Sequence, residues 1–140
     1  MAIDIKKKLT GGLVPVLAWK TGVQAYMCTP IVISGHAYLL LRNQRLTCID
    51  LSTGKEVWKK RQRFGKYMSL ASNGKSILGL DQRGELVLFD ANPEKFVLKD
   101  RRKIARQQTW AHIAVAGDKL FIRELKAISC WKWASPDKKP

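Results

Sequence analysis

At 140 residues the chain has the length of one ordinary domain, and 46% hydrophobic with 26% charged residues marks a folded chain rather than a disordered one. Lys and Arg number 26 against 11 Asp and Glu, a formal charge of +15 that attracts polyanions or anionic membrane surfaces whatever the fold. No run reaches the ~20 apolar residues of a spanning helix, and Cys28, Cys48 and Cys130, with no CxxC spacing, read as buried thiols rather than as a metal cage or a paired disulfide framework.

Residues 1–28 form an N-terminal segment with two readings. Lys6, Lys7 and Lys8 precede Leu9 to Trp19, and Val23-Gln24-Ala25 offers small residues of the kind found at a signal-peptide cleavage point. Gly11, Gly12 and Pro15 make that stretch a poor apolar helix, whereas Val14, Val16 and Trp19 suit an outer strand that ends in tryptophan.

From residue 29 onward short strands recur before a glycine: Ile31-Val-Ile-Ser-Gly35, Leu70-Ala-Ser-Asn-Gly74 and Ile113-Ala-Val-Ala-Gly117, with the glycines 39 and 43 residues apart. A period near forty suits a four-stranded blade repeated around an axis. Tyr38-Leu-Leu-Leu41, Ile77-Leu-Gly-Leu80 and Leu120-Phe-Ile122 are short apolar runs, the composition of strands buried on both faces. Asn43-Gln44 and Asp81-Gln-Arg-Gly84 supply turns after them, Gly84 being suited to a left-handed conformation. Leu46-Thr-Cys-Ile-Asp50 aligns with Leu86-Val-Leu-Phe-Asp90, and Ala127-Ile-Ser-Cys-Trp131 takes that place in the third unit.

Cys48-Ile-Asp-Leu-Ser-Thr-Gly-Lys-Glu-Val-Trp58 reads as a strand end, a tight turn and an outgoing strand closed by an indole. Asp50 can accept backbone N–H groups across the turn, Ser52 and Thr53 can do so more weakly, and Gly54 takes positive φ without a Cβ penalty. In the next unit Leu98 aligns with Trp58. Residues 94–108 have a helix-friendly composition, with Ile104 at helical spacing from Phe96 or Val97, yet the repeat predicts an outer strand Phe96-Val-Leu-Lys99 followed by a basic loop.

The order small residue, x, Asp, x, x, Thr-Gly-Lys, x, x, Trp resembles the tryptophan-docking motif of the pyrroloquinoline-quinone-type (PQQ-like) repeat, through Asp50, Thr53, Gly54, Lys55 and Trp58. The resemblance runs from about Thr29 to Trp133 and is similar to the C-terminal blades of bacterial PQQ-like repeat proteins. It implies an all-β chain of about three four-stranded antiparallel blades of a β-propeller, partial or open, over residues 29–133, with a basic tail at 134–140. Closed propellers usually have four to eight blades. Two copies of three blades offer one route to a six-bladed ring.

The family includes non-catalytic scaffolds of the cell envelope and quinone-dependent dehydrogenases, so the resemblance implies a periplasmic or envelope setting although the export signal is weak. The enzymes need an adjacent cysteine pair and a Glu, Asn and Asp set for Ca²⁺, which this sequence does not provide. The expectation is therefore no enzyme, no cofactor and no metal, and a binding or scaffold role with a protein partner or self-association. A truncated fragment of a dehydrogenase-like propeller is the remaining enzymatic alternative. His36 and His112 read as turn histidines, no GxSxG places a nucleophile, and no glycine-rich loop cradles phosphate.

Basic residues gather in two runs: Lys59, Lys60, Arg61, Arg63 and Lys66, then Lys99, Arg101, Arg102, Lys103 and Arg106. Both are expected in loops after outer strands, on one rim, as a stripe for nucleic acid or another anionic polymer. Phe64, Tyr67 and Trp110 lie nearby, either stacked on bases or turned into the core.

Overall fold

A computed structural model describes residues 2–8 and 12–132, with side chains from residue 14 onward; Trp133 and the basic tail at 134–140 lie outside the described residues. All regular structure in it is β. Strands β1 (Ala2–Lys8) and β2 (Gly12–Trp19) pair as a hairpin. Three antiparallel meanders follow in chain order. Blade 1 is β3 (Ile31–Ile33), β4 (His36–Leu40), β5 (Leu46–Asp50) and β6 (Glu56–Lys59). Blade 2 is β7 (Met68–Ser72), β8 (Ser76–Asp81), β9 (Glu85–Asp90) and β10 (Leu98–Lys103). Blade 3 holds β11 (Ala114–Ala116), β12 (Lys119–Arg123) and β13 (Ile128–Lys132). The architecture is that of an open β-propeller, its blades joined in sequence order and the innermost strands β3 and β7 lying against each other.

The blades stack because their middle strands are apolar on both faces. Along β4, Tyr38 and Leu40 enter the core shared with blade 2, while Ala37, Leu39 and the following Leu41 pack toward Trp19 and Val23 on the other side. That is the two-residue alternation of a strand, with both faces apolar. Strand β8 repeats the scheme: Ile77 joins the core between blades 1 and 2, and Leu78 and Leu80 join the one between blades 2 and 3 with Leu120 and Ile122.

A buried carboxylate joins two inter-blade connections. Asp81 is fully buried at the end of β8, and its carboxylate accepts N–H bonds from Gly65 at 2.8 Å, Arg83 at 2.9 Å and Glu85 at 3.1 Å. Its backbone carbonyl accepts the Thr109 hydroxyl at 2.6 Å. One residue thereby fixes its own turn, the incoming loop from blade 1 and the outgoing loop to blade 3. Gly84, at φ +78, completes that turn.

The second outer strand differs from its expected form. Residues 94–108 are not helical, and the strand is Leu98–Lys103 rather than Phe96–Lys99, so most of the second basic run is the strand itself. Its backbone is recruited by the open edge of β9, a tertiary pairing that overrides local composition. All six of its residues are exposed, and charges on a free edge discourage pairing with other chains.

Candidate interaction sites at the blade junctions

The turn from Asp50 to Lys55 is built by short local bonds. Ser52 donates to Asp50 Oδ1 from its N–H at 2.7 Å and from its hydroxyl at 2.6 Å, and the Gly54 N–H reaches the Asp50 carbonyl at 2.8 Å. Lys55 N–H reaches Thr53 Oγ1 at 3.3 Å, leaving the Lys55 side chain exposed. The two serine donors hold the Asp50 carboxyl below its ordinary value.

This turn receives an indole from the opposite direction to that of its own tryptophan. Trp19, at the end of β2, donates its Nε1–H to the Leu51 carbonyl at 2.6 Å and lies flat against Gly54, where a Cβ would come within 2.6 Å of Trp19 Cε3. Trp58 leans the other way, onto blade 2. Its Nε1–H donates to the Asn92 carbonyl at 3.0 Å, and its ring lies 6.1 Å from Tyr38 and 5.9 Å from Phe96. The turn that Asp50 and Thr53 brace thus seats Trp19 on Leu51 and Gly54, and Trp58 takes a seat in the β9–β10 turn. The sequence motif joins two halves of two different junctions.

Pairing register revises the position equivalent to Trp58 in blade 2. Trp58 pairs with Cys48, and the residue that pairs with Leu88, one repeat later, is Asp100. Leu98 pairs with Phe89 instead, because the register shifts between Leu98 and Asp100. That bulge is invisible in an ungapped alignment.

The two basic runs occupy different kinds of place. Lys59 ends β6 and pairs with Glu56 at 2.7 Å, Lys60 lies 5.0 Å over the Phe96 ring, and Arg61, Arg63 and Lys66 are exposed on the loop into blade 2. In the second run Lys99 pairs with Asp90 at 3.0 Å, Arg101 with Glu85, and Arg102 with Asp100 at 2.7 Å, while Lys103 donates to the Arg83 carbonyl and Arg106 is exposed beyond the strand. Phe64 and Tyr67 are buried, and Trp110 packs 6.0 Å from Tyr67, so these rings serve the junction rather than an open stacking platform.

His36 contacts the Ser34 carbonyl at 2.9 Å, and the exposed His112 packs its ring edge-on to Tyr67. Neither joins a cluster of metal-ligating side chains among the described residues. Cys48 is buried, its thiol pushed up to about 11 by desolvation, Cys28 is half-buried and Cys130 is exposed on β13. No helix among the described residues is long and apolar enough to cross a membrane.

No family model matches the chain. A curated protein, the outer membrane protein assembly factor BamB of Moranella endobia (strain PCIT), is 32% identical over 82 residues, which is 59% of this chain and 20% of that protein. The chain therefore spans about a fifth of the length of that relative. Among solved structures, the computationally designed Ika4 protein superposes with a TM-score of 0.55 at 9% identity, over 76% of this chain and 66% of that one, a likeness of fold. BamB from Moraxella catarrhalis superposes at a TM-score of 0.44 and 13% identity, over 85% of this chain and 50% of that one.

Proposed function

We propose that this chain is a non-catalytic propeller scaffold of the PQQ-like type that binds protein through its third blade. One observation carries the reading: blade 3 exposes large apolar side chains whose counterparts in blade 2 are covered. Ile128 is 76% exposed and Trp131 43%, whereas Phe89 is 0% exposed. Phe89 pairs with Ile77 as Trp131 pairs with Leu120 one repeat later, so the register sets Trp131 against Phe89 and not against Asp90, where the ungapped alignment puts it. Val115 and Leu125 add to the same sheet and its turn. Trp131 shares the face of Leu120, turned toward blade 2, and Ile128 the opposite face with Arg123, so blade 3 offers uncovered apolar side chains on both faces of its sheet. The partial match to a protein named as an outer membrane protein assembly factor supports an assembly role over catalysis.

The test is a photo-crosslinking residue at Ile128, compared with the same residue at exposed Lys75 on blade 2. Discrete protein adducts from position 128 and none from 75 are expected; equal background from both sites would reject blade 3 as the contact. Sedimentation of the purified chain separates self-association from a foreign partner.

A second reading is polyanion binding by the first basic run. Arg61, Arg63 and Lys66 are exposed, with no carboxylate within 4.0 Å in the ion pairs found among the described residues. If these three neutralise phosphates on single-stranded DNA, log K should fall against log salt with a slope near about −2. Replacing all three with alanine should abolish binding and the Arg101/Arg102 pair should matter little; salt-independent affinity would rule this reading out.

A further inference from the structure

The two junctions between complete and following blades are built from the same positions, and among the described residues only one is filled by a side chain of the outer strand. Between blades 1 and 2, Tyr38 and its partner Cys48 face Ile77 and its partner Phe89, and Trp58 closes the outer end. One repeat later the corresponding pairs are Leu78 with Leu88 and Leu120 with Trp131. There the outer strand supplies Asp100 instead of an indole. The result is a groove of about 390 Å³ walled by Leu78, Leu86, Leu88, Ile104, Leu120 and Trp131. Its mouth carries Asp100, Arg102 and Lys132.

We propose that this groove is a docking site for an aromatic side chain, tryptophan first, carried by an extended segment of a protein partner. The proposal rests on the scaffold reading above and names its point of contact. Three features specify the occupant. The filled copy of the same groove shows that these positions accommodate an indole, and the groove is continuous with the apolar core between blades 2 and 3. Trp131, half-exposed where Phe89 stands in the filled junction, provides an aromatic wall like those that Tyr38 and Phe96 give Trp58. An indole N–H also needs an acceptor. The Asn92 carbonyl serves Trp58, and the Asp100 carboxylate, held by Arg102 at 2.7 Å, stands at the mouth of the open groove. Hydrocarbon walls with one oriented acceptor are what separates an indole from an aliphatic side chain.

The experiment titrates N-acetyltryptophanamide into the ¹⁵N-labelled 140-residue chain and follows amide shifts. Saturable movement of Leu86, Leu88, Ile104 and Trp131 is expected, with Kd on the order of 1 mM, as befits a fragment with few heavy atoms. N-acetylleucinamide should bind about tenfold more weakly, a difference of about 1.4 kcal/mol. D100W should fill the groove from within, abolish the titration and raise Tm. Trp131→Ala, at an exposed position, should weaken binding and serves if D100W does not fold. Equal affinity in wild type and both folded variants would overturn the proposal, as would absence of saturation.

Two other occupants leave different signatures, and either would overturn it. Groove amides that shift with protein concentration alone would assign the site to a second copy. Groove amides that ignore the ligand but move on Trp133→Ala would assign it to the chain's own C-terminal residues. Ile128 sits on the face of β13 turned away from Trp131 and the groove, so its crosslinks report on the scaffold reading separately: adducts there with no saturable titration would remove the groove and leave the scaffold reading standing.

Discussion

Gly54→Ala offers a sharp test of the junction between β2 and blade 1, because two separable penalties meet at one atom. Gly54 has φ +71, a left-handed conformation that costs a residue with a Cβ about 1–2 kcal/mol. The new methyl would also lie 2.6 Å and 2.8 Å from Trp19 Cε3 and Cδ2, so the indole must leave its seat. Losing the hydrogen bond to the Leu51 carbonyl costs about 1 kcal/mol, and losing part of a half-buried indole about 1–2 kcal/mol. The single variant should therefore lose about 3–5 kcal/mol. In a Trp19→Ala background the collision is gone, and the same substitution should cost only the ~1–2 kcal/mol of backbone strain. The coupling expected from the double-mutant cycle is about 2–3 kcal/mol, read from urea unfolding of the four proteins. Gly74→Ala provides the control, since Gly74 has φ +88 but open space around its Cβ position; it should cost the strain term alone in either background. Equal cost of Gly54→Ala with and without Trp19 would refute the seat.

Trp58→Ala should destabilise by about 3 kcal/mol, the lower end for a large aromatic because the indole is only half-buried; a loss under about 1 kcal/mol in the same assay would show that its contacts with Tyr38 and Phe96 contribute little. Asp81→Ala should cost about 3–5 kcal/mol by stranding buried donors, with Asp81→Asn distinctly milder in thermal melts; equal losses would mean that the charge and its acceptor geometry do not matter. Stability should fall as pH climbs from about 9, where the thiol ionises in the unfolded chain, toward about 11, its folded value for Cys48. Burial favours the neutral thiol, so the unfolded chain releases its proton first and gains on ionisation; Cys48→Ala should flatten that part of the pH profile, and an unchanged slope would argue against a desolvated thiol.

Much of blade 1 is legible in the sequence because its turns are spelled by residues with local reasons to be there. Asp50 and Ser52 bond within two residues of each other, and Gly54 answers a backbone need that other residues meet poorly. What was not legible depends on partners distant in the chain. Nothing near Trp19 announces that it belongs with Leu51 and Gly54, 32 and more residues away. Asp81 reads as an ordinary turn aspartate, and its bonds to Gly65 and Thr109 arise only when three segments converge. Strand β10 carries no apolar alternation, since edge pairing and not burial makes it a strand. Its bulge then moves Asp100, rather than Leu98, opposite Leu88, and so sets the chemistry of the groove.

The direction in which the indoles lean has a consequence for synthesis. Trp19 finds its acceptor 32 residues downstream and Trp58 finds its own 34 residues downstream, so each emerges from the ribosome before its seat exists. At roughly 5–20 residues per second the wait is about 2–7 seconds. During that interval first β2 and then blade 1 trails an exposed aromatic hook, and the next segment of the chain to leave the exit tunnel is the one that can cover it.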